Sequence, residues 1–386
     1  MKVLNRTVWI LSLVSLFADI ASEMLYPIIP IFFNEIGFSA ILIGVMEGIA
    51  NFTSGLSKGY FGKLSDEKGV RLPFVRAGYF FSAISKPLMA VLIYPLWFVF
   101  VRVIDRLGKG LRTAPKDALL SQNATPQTKA RVFGFHRSLD TTGAAIGPTL
   151  ALGFLLLYPK HYKEIFILAF IPGIISFLLV FLLKEKKQPV STLAKGNFLS
   201  FFSYWKIATP AYKKLVTGLL IFALFNSADV FLLLRAKIIT GRDDVTIGAY
   251  ILYNLVFAIA SYPLGALADR IGIKKVFVSG LFLFALVYFL FAITTSTLVI
   301  FSAFFIYGLY AAATEGITKA WITNIAHASN TATAIGFYTS CQSVCTLLAS
   351  VIAGWIWVAF GSSLTFFVTT AAAVVVLIYF LRGPRQ

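Results

Sequence analysis

The sequence GKLSDEKGVR at residues 62–71 recurs in related form, GALADRIGIK, at residues 265–274. The two stretches share a glycine, a leucine, an aspartate, a second glycine and a final basic residue at equal spacing, and they lie 203 residues apart. A weaker echo pairs Gly134-Phe135 with Gly336-Phe337, at an offset of 202 residues. Two echoes at nearly the same offset predict that the chain contains a duplicated unit of that length.

The composition indicates the solvent in which this unit folds. Of the 386 residues, 58% are hydrophobic and only 13% are charged, and the mean hydropathy is +0.83. Soluble domains carry about 25% charged residues, so a water-soluble globule of this composition would expose large apolar patches. The composition therefore excludes a soluble enzyme, a disordered chain and a disulfide scaffold, and it predicts an integral membrane protein.

The charge pattern argues against a nucleic-acid partner. The formal net charge is +18, but the basic residues form short clusters between long apolar runs, as in a polytopic membrane protein. Cys341 and Cys345 are one helical turn apart, which favours packing over a disulfide. The sequence contains no P-loop, no G-x-S-x-G and no H-E-x-x-H pattern, so we predict no cofactor, no metal and no direct use of ATP.

Twelve apolar stretches are long enough to cross a bilayer as helices, which takes about 20 residues each. The first begins after Lys2 and Arg6 like a signal peptide, but it continues to Phe33 and is therefore predicted to be a retained helix. The predicted spans are 8–33, 40–61, 72–94, 96–114, 131–157, 164–183, 214–238, 246–267, 274–294, 297–322, 332–358 and 362–381. The stretch 184–213 separates six spans from six, which predicts an N-terminal bundle (1–183), a cytoplasmic linker with an interfacial helix at 197–207, and a C-terminal bundle (214–386).

The distribution of basic residues predicts the orientation. Of 34 Lys and Arg residues, 22 are assigned to the termini and the even-numbered loops, and only four are assigned to odd-numbered loops. The 22 include Lys109 and Arg112 near the end of the fourth span and Lys116 after it. The positive-inside rule then places both termini in the cytoplasm. We therefore expect a multi-pass protein of the plasma (inner) membrane.

The duplicated stretch resembles the signature G-x-L-a-D-x-x-G-x-[RK] of the major facilitator superfamily, found between helices two and three and often again between helices eight and nine. The resemblance covers the whole chain and implies an all-α membrane fold of 12 helices in two pseudo-symmetric six-helix bundles around a central cavity. In the family these loops are thought to latch the outward-facing state, which implies a gating role for Gly62, Asp66, Gly69, Arg71, Gly265, Asp269, Arg270, Gly272 and Lys274. An aspartate there can accept bonds from a helix N-terminus and pair with a cation, although an ordinary basic turn is the alternative.

Two weaker signatures lie in the fourth and fifth spans. Arg102 and Asp105 stand where proton-coupled members have R-x-x-q-G, with aspartate in place of glutamine. The fifth span contains Gly143, Gly147 and Pro148, in a run that looks like the G-x-x-x-G-P-x-x-G-G pattern of exporters. The glycines offer a face for close helix packing and the proline interrupts backbone hydrogen bonding, which predicts a hinge. Packing without any exporter role is the alternative.

Ionisable side chains inside the spans are costly in lipid, so each should face a partner or a watery cavity. Asp19 and Glu23 are four residues apart on one face of the first span, with no cation at helical spacing, which favours a functional role. Since spans one, four, seven and ten line the cavity in the family, the leading candidates to bind protons or substrate are Asp19, Glu23, Arg102, Asp105, Asp229 and Glu315. The further candidates are Glu47 in the second span, His136, Arg137 and Asp140 in the fifth, and Asn226 in the seventh. The alternative is a set of structural ion pairs, such as Arg137 with Asp140 or Glu315 with Lys319.

Together these features predict a secondary active transporter that moves a small solute by alternating access. The preferred hypothesis is exchange of protons for an outgoing drug or metabolite. Proton-coupled uptake of an organic anion, such as a carboxylate or siderophore, is the alternative that the buried arginines favour. A membrane enzyme or receptor would need a catalytic constellation or seven spans. The expected partners are a small-molecule substrate, protons and the lipid bilayer, and we expect a monomer.

Overall fold

The structure is a computed structural model that describes residues 3–37, 40–92, 94–185 and 197–382. Every regular element in these residues is a helix, in agreement with the predicted all-α class. The chain forms two compact units. The N-unit comprises Met1–Ala124, Leu139–Ala208 and Ala326–Ser340, and the C-unit comprises Thr125–Ser138, Thr209–Ile325 and Cys341–Gln386.

The α-helices are numbered in chain order. They are α1 (Arg6–Glu23), α2 (Ile28–Glu35), α3 (Ala40–Lys68), α4 (Leu72–Val91), α5 (Pro95–Gln122), α6 (Lys129–Leu157), α7 (Tyr162–Leu168), α8 (Phe170–Leu179), α9 (Tyr204–Ile207), α10 (Pro210–Ala223), α11 (Val230–Thr240), α12 (Asp243–Ile271), α13 (Ile273–Ile293), α14 (Thr297–Ile325), α15 (Thr331–Phe360) and α16 (Ser362–Arg382). Short 3₁₀ turns occupy Val180–Leu182, Ser200–Ser203 and Ala328–Asn330.

Seven segments of the described residues are long and apolar enough to cross a bilayer by themselves. They coincide with the fifth, sixth and eighth to twelfth predicted spans: Lys129–Leu157, Tyr162–Leu182, Val245–Ile271, Ile273–Ile293, Thr297–Ile325, Ala328–Phe360 and Ser362–Arg382. The remaining predicted spans contain helices that carry several charged side chains or are interrupted. Those spans contain seven of the eleven residues that were predicted to bind protons or substrate.

The first and seventh predicted spans are each interrupted once. The predicted span 8–33 divides into α1 and α2 at residues 24–27, where Pro27 lacks the N–H that a continuous helix requires. The predicted span 214–238 divides into α10 and α11 at residues 224–229, which contain Asn226 and Asp229. The two interruptions occupy nearly equivalent positions in the repeat, and each lies beside or contains candidate residues.

The fourth span is longer than its predicted range, 96–114, because α5 continues to Gln122. The interpretation of Lys109, Arg112 and Lys116 as loop cations is therefore wrong. Arg112 and Lys116 are only 6% and 8% exposed. Their spacing of three or four residues along α5 places them on a helix face that packs in the N-unit, so they belong to its interior.

The linker packs against the N-unit on both sides of residues 186–196, which lie outside the described part of the chain. The Glu185 carboxylate accepts hydrogen bonds from the Arg71 and Leu72 backbone N–H groups, at 2.7–2.9 Å, and so caps the start of α4. In the range predicted for an interfacial helix, 197–207, the chain forms the 3₁₀ turn Ser200–Ser203 and the short helix α9, Tyr204–Ile207. A position of this segment at the membrane surface stays a prediction. Trp205 stacks on Phe337, with ring centroids 5.6 Å apart.

Candidate functional site

The two copies of the repeated loop make the same kind of contact, each within its own unit. Asp66 accepts hydrogen bonds from the Thr333 backbone N–H (2.7 Å) and hydroxyl (2.8 Å), at the start of α15. Asp269 accepts from the Ala130 and Arg131 backbone N–H groups, at 3.1 and 3.0 Å, at the start of α6. Each aspartate thus caps a helix N-terminus, as the residue types predicted.

The glycines of the loops are explained by the same geometry. Gly69 and Gly272 have φ angles of +63° and +104°, in the region that favours glycine. Gly69 directly follows the last residue of α3, and Gly272 directly follows the last residue of α12. A Cβ on Gly62 or Gly265 would collide with the backbone oxygen of Ala332 or Ala130, respectively. The first glycine of the signature is therefore needed for close approach, and the second for the turn.

The cations differ between the two loops. Arg71 bonds Asp66 at 2.5 Å, with both side chains fully buried. Arg131 lies 3.7 Å from Asp269 and is partly exposed. At the other two predicted basic positions, Arg270 is exposed and Lys274 is half-buried. The N-unit loop is therefore the more tightly paired of the two.

Burial shifts the acidity of the Asp66 carboxyl group, which lies beyond the predicted span 40–61. It raises the pKa of Asp66 to about 6, against the opposing effects of Arg71 and of the Thr333 hydrogen bonds. The Asp66 carboxyl therefore titrates close to the physiological range.

Inside the N-unit, three carboxyl groups from two helices lie together. Asp19 and Glu23 share a face of α1, and the Asp19 side chain forms a hydrogen bond with Asp140 on α6. All three side chains are half-buried. A hydrogen bond between two carboxyl groups requires a proton on one of them. This arrangement can therefore hold and release a proton.

Close packing of two helices creates this juxtaposition. A Cβ on Gly143 would collide with the Leu16 backbone oxygen, and one on Gly147 would lie 2.8 Å from the Ile20 oxygen. The two glycines therefore let α1 lie directly against α6, as the small-residue spacing predicted. Helix α6 continues through Pro148. The predicted hinge role of these three residues stays a prediction.

Two basic side chains of α5 accompany the carboxyl groups. Lys109 interacts electrostatically with both Asp19 and Glu23, and Arg106 interacts with Glu23. Lys109 is exposed and Arg106 is half-buried. Sequence reasoning assigned Lys109 to a loop and gave Arg106 no role. The signal that would have found them is the spacing of three or four residues between successive basic side chains along α5.

Arg102 and Asp105 lie in a separate, drier cluster of the N-unit. The Asp105 carboxylate bonds Lys86 of α4 at 2.6 Å and lies 3.6 Å from Arg102, and all three side chains are at least nine-tenths buried. The Ser85 hydroxyl donates a further bond to Asp105, at 3.2 Å. Two cations and a hydroxyl thus hold one carboxylate, an arrangement suited to fixing helix positions.

In the C-unit, Arg137 of α6 forms an ion pair with Glu315 of α14. The Arg137 guanidinium also lies over the Phe257 ring, 5.1 Å from its centroid. Both charged side chains are partly exposed. His136 is buried on the same helix. These contacts link α6, α12 and α14 within the unit.

The interruption between α10 and α11 brings two candidate residues to a group of tyrosines. The Tyr307 hydroxyl donates to Asp229 at 2.7 Å, and Asn226 donates to the Tyr310 hydroxyl at 3.2 Å. The rings of Tyr307 and Tyr310 pack 5.2 Å apart. The tyrosines were not predicted, because an aromatic residue in an apolar helix looks like packing. Glu47 lies on α3, but its side chain is outside the described part of the structure.

Comparison with known proteins agrees with this architecture. The chain is 32% identical over 360 residues to an uncharacterised MFS-type transporter of Methanocaldococcus jannaschii, covering 92% of this chain and 89% of the relative. It is 27% identical over 136 residues to the multidrug resistance protein MdtH of Escherichia coli, about a third of each chain (35% and 33%). The crystal structure of the human organic anion transporter MFSD10 superimposes with a TM-score of 0.79 at 16% identity, covering 97% of this chain and 99% of that one.

The repeated loops, the interrupted helices and the interior charges define a multi-pass membrane protein built from a duplicated helical unit. The sequence model of the Major Facilitator Superfamily matches residues 11–241 and 240–386 of this chain. The chain therefore belongs to that family. Its fold is therefore the family's fold of two halves, as predicted, and its members are transporters of small molecules.

Proposed function

We propose that the protein is a proton-coupled secondary active transporter that exports a small solute. The observation that carries this proposal is the hydrogen bond between the carboxyl groups of Asp19 and Asp140 in the interior of the N-unit. Because that bond contains a proton and both side chains are only half-buried, the pair is suited to carry a proton between two sides of a membrane.

Lys109 and Glu23 give the pair a means of coupling. When the shared proton leaves, two negative charges face each other and repel, at a cost that a nearby cation reduces. Lys109 already interacts with Asp19 and Glu23 and is solvent-accessible, so it can supply that charge. A solute that binds the same groups would compete with the proton, which is the requirement for exchange.

Two observations support export over uptake. The partial match to a multidrug resistance protein covers about a third of this chain, 35% of its length. The Gly143 and Gly147 face, which resembles the exporter run, packs against the helix that carries the proposed proton carriers. Orientation with both termini in the cytoplasm of a plasma (inner) membrane completes the proposal.

Uptake of an organic anion is the second candidate, and a specific observation favours it. Lys109 and Arg106 are accessible to water beside the carboxyl cluster, so an anionic solute would find two cations there. The shared fold with a human organic anion transporter does not bear on substrate, since the identity is 16%. The direction of coupled flux separates the two candidates.

The test uses the full-length protein in proteoliposomes and a solute identified by thermal-shift screening of a metabolite and drug library. An exchanger accumulates the solute in vesicles with an acidic interior, whereas a symporter accumulates it when the exterior is acidic. A protonophore should abolish accumulation in either case. The same measurement on Asp19→Asn and Asp140→Asn tests the proton carriers.

Both variants should lose gradient-driven accumulation while retaining solute binding. Glu164→Gln is the matched control, since Glu164 is an exposed acid at the start of α7 in the same unit. Wild-type accumulation in Asp19→Asn and in Asp140→Asn would exclude the pair as the proton carrier. Accumulation that is the same with either pH gradient and without one would exclude proton coupling.

A further inference from the structure

A small, partly open cavity of the N-unit lies between α1, α4, α5 and α8. Its lining includes Ser22, Tyr79, Lys86, Arg112 and Ser176. Its volume of about 10 Å³ provides room for one particle of about the size of a water molecule. The carboxyl cluster described above does not contribute to this lining.

The Arg112 side chain gives the cavity a chemical character. It is only 6% exposed, and its Nη1 atom is buried without a hydrogen-bond partner in the described residues. One face of the guanidinium is covered by the Tyr79 ring, 4.2 Å from the centroid. A buried cation with an unsatisfied donor is costly unless a ligand accepts that bond.

The surrounding charges do not supply the missing acceptor. Arg112 interacts electrostatically with Lys86, Lys109 and Lys116, which are all basic. The ion pairs of the described residues do not include Arg112, and Asp105 already bonds Lys86. The basic side chains around the cavity therefore repel one another, and an anion between them would offset that repulsion.

Hydroxyl groups complete the coordination. Ser22 and Tyr79 line the cavity, and Ser176 directs its own hydroxyl proton to the Val14 carbonyl. The Lys86 ammonium has three protons, one of which bonds Asp105, so it can also donate towards the cavity. Arg112, Lys86 and the Ser22 hydroxyl can therefore each donate towards the cavity, whereas the Ser176 oxygen can only accept there.

From this geometry we infer that the cavity beside Arg112 is a binding site for a small monovalent inorganic anion of the size of chloride. The anion accepts hydrogen bonds from Arg112 and the neighbouring donors and compensates the excess positive charge of α4 and α5. The anion site does not include Asp19 or Asp140. Binding of the anion therefore does not depend on whether the protein is a proton-coupled exporter.

The experiment measures thermal unfolding of the purified full-length protein in sodium chloride and in sodium gluconate at equal ionic strength. Because only the folded cavity binds the anion, the melting temperature should rise with chloride concentration, by on the order of 2 °C for each tenfold increase above the dissociation constant. Bromide should reproduce the effect and give an anomalous scattering peak next to Arg112 in crystals.

Two variants and a control identify the location. Arg112→Gln removes the charge and should abolish the chloride response. Gly173→Ala adds a methyl group to the cavity lining without a clash, since its nearest neighbour would be 3.4 Å away, and it should weaken the response. Gly153→Ala makes the same change where no atom lies within 4 Å, and it should respond like the wild type.

The proposal fails if the wild-type melting temperature is equal in chloride and gluconate, which would mean that the cavity holds water alone. It also fails if bromide gives no peak beside Arg112, or if Gly173→Ala responds to chloride as fully as Gly153→Ala. Should Arg112→Gln not fold, the bromide peak and the two glycine variants still decide the outcome.

Discussion

Acidification should strengthen the contact between Asp66 and the start of α15. The pKa of Asp66 is about 6 when the side chain is buried against Thr333, compared with an ordinary value of 3.8. An acid with a raised pKa binds its proton more tightly in the buried state, so falling pH favours that state over one in which water reaches the carboxyl group.

The size of the effect follows from these two values. Between pH 7 and pH 5 the buried group becomes mostly protonated, while a hydrated group with the ordinary pKa stays ionised. The free energy of opening should therefore rise by about 1.3 kcal/mol, or about ninefold in the equilibrium constant. The effect continues to grow below pH 5 and levels off only below the ordinary pKa of 3.8, where the hydrated group also gains its proton.

Amide hydrogen exchange at Thr333 measures this opening directly, because its N–H bonds the Asp66 carboxyl. After correction for the intrinsic exchange rate, protection should increase about ninefold from pH 7 to pH 5. Asp66→Asn should remove the pH dependence, and Glu67→Gln is the adjacent control that should preserve it. Protection that falls on acidification, or an unchanged pH response in Asp66→Asn, would refute the reasoning.

Two further predictions concern the packing of the N-unit. Lys86→Met removes the 2.6 Å bond to Asp105 and should lower the free energy of unfolding in detergent by about 1.5–3 kcal/mol, whereas Arg102→Met, at 3.6 Å, should cost less; the reverse order would contradict the assignment of the primary pair. Gly143→Leu should sharply reduce the yield of folded, monodisperse protein because its side chain would enter the backbone of α1, while Gly153→Leu, in open space on the same helix, should be tolerated. Equal yields of the two leucine variants on size-exclusion chromatography would argue against direct contact of α1 with α6.

The sequence predicted the loop contacts well because the repeat encodes them twice. Aspartate, glycine and a basic residue at fixed spacing limit what a short turn can do, and the bonds from Asp66 and Asp269 to helix N-termini follow from that chemistry. The length of the apolar stretches also located the seven spans that are apolar enough to cross a bilayer by themselves. These are local properties, which a single sequence carries explicitly.

Contacts between distant helices could not be predicted in the same way. That Asp140 would meet Asp19 depends on the rotation and height of α6 against α1, which the sequence does not specify. The cations of α5 were misplaced for a related reason. A basic cluster after an apolar run looks like a loop, and only its periodicity of three to four residues indicates a helix that continues with its charges inward.

The long sequence separations of the two capped helices have a consequence for biosynthesis. The bond from Thr333 to Asp66 joins residues 267 positions apart, and the bond from Ala130 to Asp269 spans 139 positions. While the ribosome is still translating the first half, Thr333 and Asp269 have not yet been synthesised. Asp66 and the first turn of α6 therefore lack their hydrogen-bond partners and remain hydrated until the later segments emerge. A gene split between the two repeats would thus yield polypeptides that each carry one bare aspartate and one uncapped helix, and co-expression of the two fragments would restore both.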